Sequence, residues 1–119
     1  MRNIPPEISG QRYVSLATFR KTGTPVATPV WFAEMNGKLY VMTSTDTGKY
    51  KRIRNNPRVT IAPCTIRGRV SGPQFEGAAR ILPDPQGAAT RQAIRDKYWL
   101  ARLPYLWRNV KAYLEIEIS

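Results

Sequence analysis

Pro25-Val-Ala-Thr-Pro-Val-Trp-Phe-Ala-Glu-Met-Asn-Gly-Lys-Leu-Tyr-Val-Met-Thr43 is the stretch that decides the fold. Its centre, Asn36-Gly37, is the dipeptide that most readily takes positive φ at two successive positions, as a two-residue hairpin turn requires. Residues of strand composition lie on either side: Pro25–Ala33 is rich in Val, Thr and aromatics, and Lys38–Thr43 reads Lys-Leu-Tyr-Val-Met-Thr. Pro29 has no N–H to give to a ladder, so the strand that carries it is expected at a sheet edge or bulged at that point.

Working outward, Tyr13–Arg20 alternates, with Val14 and Leu16 opposing Ser15 and Ala17. A turn on Gly23 joins it to Pro25–Ala33 as a further hairpin. Beyond Thr43 the run Ser44–Gly48 is polar and loop-like, and Lys49–Asn55 suits a short helix with Tyr50 and Ile53 on one face, ended by Pro57. Val59–Pro63 and Gln74–Leu82 are the fourth and fifth strands, with Gly68 and Gly72 bounding the turn between them. Pro83–Gly87 is a break, Ala88–Leu100 a longer helix with Asp84 near its start, and Leu103–Trp107 shows no period. Val110–Ile118 alternates as a half-buried last strand: Val110, Ala112, Leu114, Ile116 and Ile118 face one way, Lys111, Tyr113, Glu115 and Glu117 the other. The pattern predicts one mainly β domain over residues 1–119. It has six antiparallel strands in a closed or partly closed barrel, a short helix after the third and a helix before the last. A barrel of 119 residues has a small core, so pairing of two copies is a natural way to bury more.

Composition narrows the chemistry. The chain has no histidine and one cysteine, Cys64, which excludes Ser-His-Asp and Cys-His catalysis and leaves no set of zinc ligands. Cys64 reads as a small buried hydrophobe, and a lone cysteine makes no internal disulfide. No apolar run is long enough to span a bilayer, and Met1–Pro6 lacks the apolar stretch of a signal peptide, so a cytoplasmic location is expected. A net charge of +11, from 19 basic and 8 acidic residues, points to an anionic partner.

The densest motif is Thr43-Ser-Thr-Asp-Thr-Gly-Lys-Tyr-Lys-Arg-Ile-Arg54, where hydroxyls and backbone amides precede a helix start and basic residues fill its first turns. Helix N-termini bind phosphate through unpaired N–H groups and the macrodipole, and Lys49 and Arg52 share one face. A solvated basic helix with Ser/Thr capping would read the same way. A P-loop is excluded, because it needs Gly at Thr43 and Ser or Thr at Tyr50. Of Trp31 and Phe32, one is expected in the core and the other on a dimer face, or Trp31 lines a pocket against which a flat ring could lie. Arg67 and Arg69 either extend the anion site or form an exposed turn. Tyr98, Trp99, Tyr105, Trp107 and Arg108 are expected to pack a helix onto the barrel, the alternative being stacking on nucleic-acid bases. Asp46 and Glu76 have no partner with which to form an acid–base couple.

Several of these runs carry a resemblance. Tyr13–Phe19, Gly23–Phe32, Leu39–Thr43, Lys49-Tyr-Lys-Arg-Ile-Arg-Asn-Asn-Pro57 and Val59–Cys64 resemble the pyridoxamine 5′-phosphate oxidase-like split-barrel superfamily, and within it the short class B deazaflavin-dependent oxidoreductases. The resemblance implies a split β-barrel homodimer with cofactor at the interface. It implies Thr43, Ser44, Thr47 and Lys49 as phosphate or ribityl contacts, helped by Lys51 or Arg52, and Thr28, Pro29, Val30 and Trp31 flanking the ring. It implies coenzyme F-420, a polyanionic deazaflavin, or alternatively FMN. Vitamin B6 oxidation is not expected, since the chain lacks the C-terminal substrate-binding extension and the histidines of those oxidases. The leading expectation is an oxidoreductase passing hydride between such a cofactor and a small electrophilic substrate, with no catalytic side chain assigned. The alternatives are an FMN-binding storage or sensing protein, and a basic nucleic-acid-binding barrel.

Overall fold

The computed structural model describes residues 4–45, 47–83, 88–98 and 110–119. Its elements are β1 (Val14–Phe19), β2 (Pro25–Val30), β3 (Ala33–Met35), β4 (Lys38–Thr43), α1 (Gly48–Asn55), β5 (Arg58–Pro63), β6 (Phe75–Pro83), α2 (Ala88–Lys97) and β7 (Ala112–Ile118). Asn36 and Gly37 take φ of 55° and 74°, and Met35 faces Lys38 across them, so the Asn-Gly turn joins β3 to β4 as its sequence requires. Gly23, at φ 89°, turns β1 into β2.

All seven strands are antiparallel neighbours in one sheet of order β2-β1-β5-β6-β7-β4-β3. The expected count of six is corrected by one, because Pro25–Ala33 is not a single strand. Val30 pairs with Val14 and Ala33 with Tyr40, which places the two halves on opposite edges of the sheet. Only Trp31 and Phe32 link those edges. Laid flat, seven strands would hold their edges about 29 Å apart, at about 4.8 Å per spacing. The chain from Val30 to Ala33 reaches at most about 11 Å. The sheet must therefore curl until its edges meet, and a two-residue covalent link closes the split barrel where a ladder of hydrogen bonds would otherwise run. Pro29 sits on the edge strand, as its missing N–H demands.

The barrel interior is filled by Val14, Leu16, Leu39, Ile61, Leu114 and Ile116, all fully buried, and α1 seals it with Ile53. On the outer side, α2 packs Ile94 against Ala33 and Tyr98. Two features of β7 differ from the alternating pattern. The strand starts at Ala112, and Tyr113, expected on the solvated side, is fully buried beside Tyr40 and Leu82. Glu115, on that same outer side, accepts from the Tyr40 hydroxyl at 2.9 Å and pairs with Arg80 at 3.1 Å. The second helix is described to Lys97; Leu100, the break at residues 84–87 and the segment 103–107 lie outside the described residues.

Candidate functional site

The curl brings the β2–β3 link against the middle of β4. Between them lies a cavity of about 460 Å³ lined by Tyr13, Pro29, Val30, Trp31, Val41, Met42 and Ile66. Its side walls are apolar or aromatic apart from the Tyr13 hydroxyl and the Trp31 indole N–H. Phe32 is fully buried in the core, and Trp31 is the half-exposed member of the pair. Of the two readings of this pair, the structure shows the one with Trp31 on a pocket wall, beside Phe32 in the core.

Met42 is followed at once by Thr43, the last residue of β4, and four residues further on Thr47 caps α1. The cap is built from hydroxyls. Thr47 Oγ1 accepts from the Tyr50 N–H at 3.2 Å, donates to the Ser44 carbonyl at 2.9 Å, and lies 3.2 Å from Thr43 Oγ1. A hydroxyl has one proton and two lone pairs, so these three contacts saturate Thr47. Its side chain therefore holds the helix start in place and is itself fully engaged there.

Two cations stand over that start. Lys49 is half-buried, and burial, followed by the proximity of Arg52, pulls its ammonium below the usual lysine range. Arg52 Nε donates to Thr18 Oγ1 at 2.6 Å, which swings the guanidinium back along the helix: its Nη1 lies 2.5 Å from where a Cβ on Gly48 would be. Among the described residues no carboxylate forms an ion pair with either. Two like charges, partly desolvated and without a counter-charge among the described residues, gain from the arrival of an anion.

The remaining expected residues are placed as follows. Thr28 pairs with Leu16 and turns away from Pro29; it is not on the cavity wall, but its buried Oγ1 has no hydrogen-bond partner among the described residues. Lys51 is exposed on the outward side of α1. Arg67 and Arg69 lie in an exposed turn. Cys64 is buried, and burial raises its thiol pKa. Glu76 is held by Arg58 through contacts of 2.9 and 3.1 Å, and that partner keeps its carboxyl below the usual range. Asp46, Trp99, Tyr105, Trp107 and Arg108 lie outside the described residues. Tyr13, Val41, Met42 and Ile66 are cavity residues the sequence did not single out. Val41 and Met42 were within reach, since they directly precede Thr43; Ile66, in a polar turn, carried no signal.

The family model for pyridoxamine 5′-phosphate oxidase matches residues 2–117, nearly the whole chain. The chain belongs to the pyridoxamine 5′-phosphate oxidase family. Solved structures agree on the fold of this family member. An F-420 reductase is 25% identical with a TM-score of 0.73, over 98% of this chain and 96% of its own. A conserved hypothetical protein from Mycobacterium tuberculosis is 21% identical with a TM-score of 0.75, over 95% of this chain and 76% of its own. An FMN-binding protein from Nostoc punctiforme, itself described as related to pyridoxamine 5′-phosphate oxidase, is 17% identical with a TM-score of 0.64, over 93% of this chain and 72% of its own. No curated protein matches the chain in sequence.

Proposed function

We propose that this protein is an oxidoreductase that binds a phosphate-bearing flavin-type cofactor, coenzyme F-420 ahead of FMN, and exchanges hydride with a small electrophilic substrate. The observation that carries the reading is the closeness in the chain of two unlike surfaces: an apolar, aromatic-walled cavity has Met42 of β4 on its wall, and the basic start of α1 follows six residues later, at Gly48. A planar ring suits the first and a phosphate the second, and about 460 Å³ is within the range of small-molecule sites. Trp31 and Val30 would flank the ring, with the backbone of Pro29. Ser44, Lys49 and Arg52 would hold the phosphate, and Thr43 and Thr47 would fix the helix that presents them. When bound, the cofactor supplies the hydride chemistry; the chain supplies orientation, a water-poor wall and fixed positive charge.

Support for F-420 ahead of FMN comes from the net charge of +11, which suits a polyanionic ligand, and from the similarity to an F-420 reductase over 96% of that protein's length. The FMN reading rests on the FMN-binding neighbour. A homodimer is part of the proposal. The outer edge of β2 exposes Pro25, Ala27 and Pro29, and Ile66, which lines the cavity, is 65% exposed, so a second copy would complete the wall.

Titrating the purified chain with F-420 and with FMN, followed by fluorescence, tests the reading. Saturable binding of F-420, tighter than that of FMN and weakened in Lys49→Met, is the expected result. Binding of neither overturns it.

A further inference from the structure

Tyr98 stands one residue past α2 and is 2% exposed. Its ring lies on Trp31 with centroids 4.6 Å apart and planes 9° apart. Its hydroxyl is tied to the main chain at three points. It donates to the Arg12 carbonyl at 2.7 Å, accepts from the Phe32 N–H at 3.1 Å, and lies 3.1 Å from the Phe32 carbonyl. One side chain therefore holds the segment entering β1 and the two-residue link that closes the barrel. Lys97 Nζ sits 3.5 Å from the centre of the Phe32 ring, adding a cation–π contact to the same cluster. Burial raises the Tyr98 phenol to about 12, so its proton stays on across the physiological range.

The consequence falls on Trp31. With one face covered by Tyr98, the indole can meet the cavity only with its opposite face or its edge. Its two side-chain torsions are fixed by the stack, and its backbone by the hydrogen bonds to the next residue, Phe32.

We propose that Tyr98 is a positioning residue for the cavity: it holds Trp31 as a rigid platform for a planar ring ligand and so sets ligand affinity without touching the ligand. This rests on the flavin-type reading above. Affinity gained by fixing a wall in its bound geometry is pre-organisation, and an aromatic stack of this kind is worth roughly a 2- to 10-fold change in an equilibrium constant.

The test uses the full chain and its variants Tyr98→Phe, Tyr98→Leu, Trp31→Leu and the double variant Trp31→Leu/Tyr98→Leu. Each is titrated with F-420 and with FMN, and near-ultraviolet circular dichroism and thermal melting are recorded without ligand. Tyr98→Leu is expected to lose the near-ultraviolet signature of the stack and to bind roughly 2- to 10-fold more weakly. The double variant should bind no more weakly than Trp31→Leu, because both changes act through one contact. Tyr98→Phe should keep the signature and stay within about twofold of wild-type affinity, while melting lower because the Phe32 N–H loses its acceptor. A residue of purely structural importance would lower the melting temperature of Tyr98→Leu and leave the affinity of its folded fraction unchanged. That outcome overturns the proposal, as does a double variant whose loss is the product of the two single losses. If Tyr98→Leu does not fold, Tyr98→Phe decides: a loss as large as that of Trp31→Leu overturns it. Wild type binding neither probe overturns the flavin-type reading and this role together; wild type binding with Tyr98→Leu unaffected overturns this role alone.

Discussion

Lys49 is held in a state that a ligand should relieve. It is half-buried, Arg52 adds a like charge, and among the described residues no carboxylate pairs with it, so its pKa lies below that of an ordinary lysine. A phosphate favours the charged form, so binding should draw the pKa back up and take up protons. The sign follows: the ammonium binds the anion and the free amine does not, so affinity is highest below the lowered pKa and falls as pH rises through it. A titration series from pH 6 to 10 should show this decline, and Lys49→Met should both flatten it and weaken binding about tenfold, as expected for loss of one charge-assisted contact. Gly48 gives a second, independent probe. In a helix interior alanine is better than glycine by about 1 kcal/mol, and at the first helical position, where Gly48 stands, the advantage is smaller. Here a Cβ would lie 2.5 Å from Arg52 Nη1. Because the obstacle is the end of a flexible side chain, Gly48→Ala should leave the melting temperature unchanged or higher while weakening anion binding, as the guanidinium is pushed aside. A drop in stability with unchanged affinity would contradict this.

Among the elements, α2 carries a cost that can be measured. Lys97 Nζ is buried without a hydrogen-bond acceptor among the described residues. The faces of Phe32 and Tyr98, and Glu34 from β3, favour its ammonium; lost hydration, with Arg12 in support, opposes it and wins, bringing the pKa down to about 8. In the unfolded chain the group titrates near 10.4. Between about 8 and about 10.4 the unfolded state therefore binds more protons, and stability should rise with pH across that window. Below it the charge is a constant penalty. Lys97→Met should raise the melting temperature at pH 7 by a few degrees and remove the rise above pH 8, both read by thermal denaturation. The same scale shows what the sequence did and did not disclose. Asn36-Gly37 fixed the β3–β4 turn because its φ requirement is local. The break at Trp31-Phe32 was hidden, since both residues suit a strand and what separates them is pairing of Val30 with Val14 and Ala33 with Tyr40 at opposite edges. Tyr113 was misplaced because alternation assumes one wet face, whereas Leu82 and Tyr40 cover it. The hydroxyl cap at Thr47 was legible as a helix start, but that its side chain is saturated depended on Thr43 and Ser44 folding back onto it.

At the scale of the molecule, the closing link makes one stretch responsible for both the fold and the cavity. Phe32 is fully buried in the barrel core, while Trp31, its neighbour, faces the cavity. The two should separate cleanly on substitution. Phe32→Ala removes a large core side chain and should cost roughly 3–5 kcal/mol, a large share of the stability of a domain this size. Trp31→Leu should cost far less stability and act on ligand binding. The proposed contact between copies belongs to this scale as well. Two chains of +11 repel each other at long range, so a dimer here must be held by uncharged surface, and the outer edge of β2 with Ile66 and Val70, 65% and 53% exposed, offers it. Sedimentation at physiological salt should give twice the 13.5 kDa chain mass. Raising the salt should strengthen the association by screening the repulsion. Val70→Lys should return the protein to a monomer and, since Ile66 lies on the same turn and lines the cavity, weaken cofactor binding in step. A monomeric Val70→Lys that binds cofactor as tightly as the wild type would show that each copy carries a complete site of its own.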